Sequence, residues 1–217
     1  DSFAGLNAKL VYLNDKTFGQ ADNYEHLVNV KQMLEQTNPE FEGFIVQTTA
    51  ASINKMSDEF LQKSGIKYVE LGIESYNDLI LKTLHKPHNI TMIDRAVDKL
   101  RNNNIQIIPN IIIGLPAETA KTYAATQDFL NRNADVISHA NIYNLAIYKG
   151  SKLADQIISD DANDIDETII TKSFHVDQKI HEDFSESLFS YGQKQLSASR
   201  GRQSSSLAVR NNGELVR

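Results

Sequence analysis

Short apolar runs alternate along this chain with segments whose apolar residues recur every three or four positions, the signature of strands alternating with amphipathic helices. Lys9 to Asn14 reads as a buried strand, and after the loop Asp15-Lys16-Thr17-Phe18-Gly19 a helix opens on Asp22 and Glu25. Leu27, Val30 and Leu34 mark its apolar stripe, and Asn38-Pro39 ends it. Gly43 to Thr49 is the second strand, followed by a short helix capped by Ser57, with Phe60 and Leu61 facing inward and Gly65 closing it. Lys67 to Gly72 is the third strand, with helices over Asp78 to Leu84 and, beyond Pro87, along the stripe Met92, Ile93, Ala96, Val97 and Leu100. Ile105 to Ile113 is the fourth strand, Thr119 to Leu130 its helix, and Val136 to Ile147 holds the fifth strand.

Strands apolar on both faces and separated by helices call for a parallel α/β sheet, because parallel strands need crossovers that cover the sheet. Periodicity leaves a barrel and a doubly wound sheet equally open. After Gly150 the pattern changes: Ile158 to Glu167 is acidic and loop-like, Val176 to Leu196 looks helical, and Ser197 to Ser206 reads as a solvated linker. The expected organisation is a strand-helix domain over residues 1–155, an acidic loop and helix over 156–196, and a polar tail over 197–217.

Charge and cysteine content narrow the function. With 22 Lys and Arg against 28 Asp and Glu, net charge -6 and no basic stripe, no direct nucleic-acid surface is evident. No apolar run approaches the roughly 20 residues of a membrane span, so a soluble, cytoplasmic protein is expected. The chain has 0 cysteines, so disulfides, zinc thiolates and cysteine nucleophiles are excluded for these 217 residues, and an iron-sulfur cluster would need ligands from elsewhere. The start at Asp1 and the missing cysteines lead us to expect a fragment of a longer protein.

In parallel strand-helix folds ligands gather at the carboxyl ends of the strands. The segments there are Asn14 to Phe18, Gln47 to Thr49, Glu74-Ser75, Gly114 to Thr119 and Asn141 to Tyr148, a polar rim above apolar strands. Leu71-Gly72-Ile73-Glu74-Ser75, with Leu81 and Leu84-His85-Lys86, resembles the fourth-strand motif and following helix of the radical S-adenosylmethionine (radical SAM) superfamily. Asn110 to Thr119, with Gly114-Leu115-Pro116-Ala117-Glu118-Thr119, is similar to that superfamily's fifth-strand motif, usually Gly-Leu-Pro-Gly-Glu-Thr. Leu10 to Phe18 resembles the second-strand signature of a subfamily that often carries a cobalamin-binding domain, and Tyr148 to Leu153 the turn after the sixth strand. The resemblance covers Lys9 to about Leu153. Ala117 stands where Gly is usual, Asn14 where Asp is usual and Lys149 where Pro is usual, and the three-cysteine loop is missing.

The resemblance implies a partial (βα) TIM-like barrel with its first strand missing, plus a C-terminal helical extension. It implies S-adenosylmethionine as cofactor, cleaved to a deoxyadenosyl radical by a 4Fe-4S cluster whose ligands lie outside this segment, and a cobalamin domain elsewhere. The family comparison assigns Glu74 and Ser75 to the ribose and methionine end of the cofactor and Lys86 to the methionine carboxylate. Ile112, Gly114, Leu115, Pro116, Tyr143 and Leu145 would surround the adenine, with strand-end amides and carbonyls bonding its edge. Asp15, Lys16 and Thr49 would face the substrate, which stays unidentified as small molecule or macromolecule, and an electron-donor protein is an expected partner.

Plainer readings stand beside these. Gly114-Leu115-Pro116 makes a tight turn into a helix favoured by Glu118 through its dipole, and Glu74-Ser75 caps a helix. Lys86 is then a solvated helix-end charge, Asp15 a turn residue and Tyr143 a core aromatic. His85 and His88 straddle Pro87 and cannot share a helix face as zinc ligands do, His139, His175 and His181 have no useful spacing, and the acidic run Asp160 to Glu167 lacks a calcium-loop glycine. Two further functions compete: a cluster-free, non-catalytic scaffold of the same fold, and an unrelated barrel enzyme of aldolase or isomerase type using Glu74, Asp15 and Lys16 for proton transfer.

Overall fold

β1 (Leu10–Leu13) and α1 (Tyr24–Thr37) open a series of strand-helix units in the computed structural model, which describes residues 8–20, 24–148 and 169–170. β2 (Gly43–Thr49) leads into α2 (Ala50–Lys55) and α3 (Asp58–Ser64). β3 (Ile66–Glu74) is followed by α4 (Asp78–Thr83) and α5 (Ile90–Asn102), and β4 (Gln106–Ile113) by α6 (Ala120–Arg132). β5 (Asn141–Asn144) completes the main sheet, while β6 (Ile147–Tyr148) pairs antiparallel with β7 (Ile169–Ile170).

The main sheet runs β1-β2-β3-β4-β5 with every neighbour parallel. Each crossover steps to the next position in the same direction. A doubly wound sheet would reverse its order at a switch point, so this winding decides for a curled half-barrel. The C-terminal helix and the acidic loop expected from the sequence lie outside the described residues.

Several local features follow from their residues. Ser57 caps α3 by accepting from the Phe60 amide, and Gly65, at φ 75°, ends it in the left-handed conformation that glycine tolerates. Thr119 and Thr122 form a reciprocal capping box on α6. Two expectations change. A further helix, α2, begins directly at the end of β2, with Thr49 as its cap accepting from the Ser52 amide. The single strand expected from Val136 to Ile147 is broken: Ile137 makes one isolated parallel bridge to Ile107, and pairing resumes only in β5.

One face of the sheet carries the core. Phe44 and Val46 of β2, Val69, Leu71 and Ile73 of β3, and Ile107, Ile111 and Ile113 of β4 pack with Leu34, Ile93, Leu100, Phe129 and Leu130 of the helices. The intervening residues, Gln47, Thr49, Glu70, Gly72, Asn110 and Ile112, alternate to the opposite, concave face. Ile45 and Ile108 are buried on that same face, so the strands are apolar on both faces at mid-sheet, and the polar residues gather toward their carboxyl ends.

Candidate functional site

β3 runs two residues past its expected end, and its last residue is the centre of the site. Opposite β4 the register places Gly72 against Asn110 and Glu74 against Ile111, leaving Ile73 as the extra residue of a bulge. Bulges re-aim side chains, and here Glu74 also takes φ 65°, a backbone strain that non-glycine residues sustain chiefly where function needs it. The Glu74 carboxylate folds back until Oε1 lies 3.4 Å from where a Cβ on Gly72 would sit.

Lys86 reaches the same place through the end of α4. The Lys86 amide donates to the Leu81 carbonyl and the His85 amide to that of Lys82, with His85 at φ 53°. This double closure is the Schellman turn, and it reverses the chain. Lys86 Nζ then donates to Glu74 Oε1 at 2.6 Å, the side chains being 33% and 13% exposed. Such partial burial makes the pair stronger than a solvated one, so Lys86 is not a free helix-end charge. Glu74 does not cap α4 either: the Asn77 side chain does, accepting from the Leu79 and Ile80 amides.

Two buried polar side chains accompany the pair. Ser75 is 1% exposed and its hydroxyl has no hydrogen-bond partner. His88 is 5% exposed; neither ring nitrogen completes a hydrogen bond of normal geometry, and the Ile73 backbone makes a polar approach to the ring that raises its basicity. Burial, and then the Lys86 charge, lower the His88 pKa against the opposing pull of Glu74 and Ile73. The neighbouring Tyr76 anchors this segment, its amide donating to Thr126 Oγ1 and its hydroxyl meeting Asp94 at 2.7 and 2.8 Å, with the ring stacked on Phe129. Burial, reinforced by Asp94, pushes the phenol up to about 12.

The loop after β4 is organised from within. Gly114 takes φ 84°, which requires glycine, and its amide and that of Leu115 donate to Glu118 Oε2 at 2.6 and 2.8 Å. Those two amides are therefore occupied by Glu118, which also bonds the Tyr123 hydroxyl, and are not open to an adenine edge. Leu115 is fully buried, while Pro116 is half-buried. Ala117 sits at φ 66°, where the superfamily motif has glycine. Ala117→Gly should raise stability by about 0.5–1 kcal/mol, the left-handed strain less the added chain entropy of glycine. Urea unfolding that shows no gain would contradict this.

The remaining candidates separate into two groups. Ile112 and Tyr143 are register partners on β4 and β5, and the Leu145 amide donates to the Ile113 carbonyl, so this half-buried apolar wall continues from the Gly114 turn. Glu74, Gly114 and Tyr143 belong to the carboxyl ends of three successive neighbours in the sheet. Asp15 and Lys16 are exposed beyond β1, where Asp15 Oδ1 accepts from the Thr17 amide, and Thr49 serves as the cap of α2. Sequence reasoning weighed His88 only as a zinc ligand and passed over the row on the concave face where Thr49, Gly72, Asn110 and Asn141 pair in register and Asn141 Nδ2 donates to Asn110 Oδ1 at 2.9 Å. The alternation of Asn110 with Ile111 was the one signal for that row, and spacing held none for His88.

This geometry can be set against known proteins. The model of the radical SAM superfamily matches residues 17–130, more than half of the 217-residue chain. The chain belongs to the radical SAM superfamily. It is 26% identical over 116 residues to the ribosomal protein uS12 methylthiotransferase of Desulfotalea psychrophila, covering 50% of this chain and 25% of that protein. Its fold resembles that of coproporphyrinogen III oxidase of Escherichia coli, described as a radical SAM enzyme, with TM-score 0.57, 13% identity, and 87% of this chain and 41% of that one covered. The methyltransferase TsrM of Kitasatospora setae, solved with cobalamin and a 4Fe-4S cluster, gives TM-score 0.56 at 15% identity, with 72% of this chain and 32% of that one covered. The chain spans about a fifth to a third of the length of the curated relatives it matches. Membership removes the unrelated-barrel alternative, in keeping with a Glu74 carboxylate engaged by Lys86.

The two groups that radical SAM proteins use fit this chain unequally. A cluster needs thiolate donors, and with 0 cysteines these 217 residues supply none. For S-adenosylmethionine the donor set is suitable: a carboxylate for an ammonium, an ammonium for a carboxylate, an unpartnered buried hydroxyl, and a bare Gly72 beneath them.

Proposed function

We propose that the carboxyl ends of β3, β4 and β5 hold S-adenosylmethionine as part of a longer radical SAM enzyme whose 4Fe-4S ligands lie outside these 217 residues. The observation that carries this reading is the Glu74–Lys86 pair, 2.6 Å apart, beside the unpartnered Ser75 hydroxyl. An α-amino acid is a zwitterion, and an ion pair offers it one charge of each sign. Lys86 turns to the ligand carboxylate, Glu74 accepts from the ligand ammonium, and Ser75 supplies a hydroxyl bond. Ile112, Tyr143 and Leu145 pack on the adenine, with Gly114 and Pro116 shaping the turn above them and Leu115 buried behind it.

When bound and reduced from a cluster, S-adenosylmethionine supplies the radical chemistry, and the residues described here bind and orient it. Asp15, Lys16 and Thr49 stand toward the substrate in this reading, which leaves the substrate unnamed. The likeness of Leu10 to Phe18 to the cobalamin-associated subfamily supports a cobalamin domain elsewhere in the protein. An electron-donor protein belongs to the same reading. The absence of cysteine favours one other reading, a cluster-free scaffold, and the coding sequence around this segment separates the two.

Titration of the 217-residue chain with S-adenosylhomocysteine, which keeps the methionine, ribose and adenine groups, is the direct test. Weak saturable heat is expected, and none at millimolar ligand overturns the reading. Reconstitution with iron and sulfide should leave no reducible cluster, and an electron paramagnetic resonance signal from one would contradict the assignment of its ligands to other chain.

A further inference from the structure

Buried polar groups in native proteins nearly always have partners, so unpartnered ones point to a ligand or a change of state. Among the described residues five buried side-chain atoms lack one: Asn54 Oδ1, Asn103 Oδ1, Ser75 Oγ, and Nδ1 and Nε2 of His88. Asn54 and Asn103 line a polar groove between α2, α3 and α5, and both residues are partly exposed. The other three atoms belong to residues only 1% and 5% exposed, grouped by the bulge that ends β3.

His88 is held there by backbone. Lys86 is delivered by the Schellman turn, Pro87 fixes the next step, and Asn89 caps α5 by accepting from the Met92 amide. The imidazole between these anchors lies near Ile73, Glu74 and Lys86. Burial and the Lys86 charge favour the neutral ring, which has one N–H to give and one lone pair to receive; the Ile73 backbone is the polar group it meets, and no hydrogen bond of normal geometry is completed there.

A zwitterion entering between Glu74 and Lys86 draws the ammonium of Lys86 away from the carboxylate it now bonds, and Glu74 loses its one strong protein donor. We infer that His88 is a positioning residue: in the ligand-bound site its ring N–H donates to the Glu74 carboxylate, keeping that carboxylate aimed at the ligand ammonium. This rests on the cofactor reading above. A neutral donor suits the task, because a second cation beside Lys86 would compete with the ligand for Glu74 and repel Lys86.

The test uses the 217-residue chain, S-adenosylhomocysteine and nitrogen-15 spectroscopy of the histidine rings. At saturation the His88 ring should pass to one tautomer, with one nitrogen protonated and one bare. His88→Phe should weaken binding roughly tenfold, the loss of one charge-assisted bond, while His88→Asn, which keeps a donor, should recover most of it. Thermal melts of both variants separate lost folding from lost affinity, and the wild-type spectrum needs no variant. Binding that leaves the His88 resonances unchanged overturns this role and spares the cofactor reading. No binding by the wild-type chain overturns both.

Discussion

Glu118→Ala should destabilise the chain by about 3–5 kcal/mol at pH 6, measured by urea unfolding. Glu118 is 7% exposed, and its Oε2 receives the amides of Gly114 and Leu115 while the carboxyl also bonds the Tyr123 hydroxyl. Alanine strands three buried donors, each worth about 1–3 kcal/mol when unmet. Glu118→Gln keeps an acceptor and separates hydrogen bonding from charge. Burial pushes the Glu118 carboxyl up to about 7 from the ordinary 4.5, against the opposite pull of Tyr123, Leu115 and Gly114. A carboxyl whose pKa rises on folding binds its proton more tightly in the native state. Its contribution is thus complete below about pH 4.5 and is lost as pH rises through about 7. Between pH 5 and 8 the wild-type chain should lose up to about 3 kcal/mol that Glu118→Gln does not lose. Parallel pH profiles for the two proteins would show that the carboxyl is not perturbed.

Lys86→Met should lower affinity for S-adenosylhomocysteine by roughly tenfold to a hundredfold, because a charge-assisted bond to a carboxylate is worth about 1.5–3 kcal/mol. The same substitution strands the Glu74 carboxylate, whose side chain is 13% exposed, and should cost about 2 kcal/mol of stability. Glu74→Gln alone should cost less, since an amide needs no counter-charge. In the double variant the stability losses should fall well short of adding, with a coupling near 1–2 kcal/mol. Unchanged affinity in Lys86→Met, measured by calorimetry, would remove Lys86 from the site and leave the pair a structural contact only.

Much of the scaffold was legible in linear order. The span Gly43–Thr49 is a strand as its apolar run implied, and α3 is bounded by the Ser57 hydroxyl and by Gly65, whose lack of a Cβ permits the left-handed turn. The superfamily likeness rested on four motifs, and the family match over residues 17–130 contains two of them whole, Leu71 to Ser75 and Asn110 to Thr119, while most of Leu10 to Phe18 and all of Tyr148 to Leu153 lie outside it. Other parts were ambiguous for identifiable reasons. Val136 and Ile137 are apolar and buried, yet one bridge to Ile107 satisfies the backbone there, so burial mimicked a strand. Ala50–Lys55 follows β2 without a loop, and Thr49, read as facing a substrate, stops the strand and caps that helix.

What the sequence by itself determined was the alternation of strands and helices, the Ser57 and Gly65 ends of α3, the absence of thiolate ligands and the superfamily, since each depends on residues close along the chain or on composition. Tertiary structure alone decided that the winding curls into a half-barrel, that Glu118 turns back onto the Gly114 and Leu115 amides, and that Glu74 meets Lys86 twelve positions on while His88 is buried nearby against the Ile73 backbone. Those contacts depend on a bulge, a left-handed residue and a helix-ending turn acting together. Periodicity reports which face a residue takes, and it carries no information on where two such faces meet.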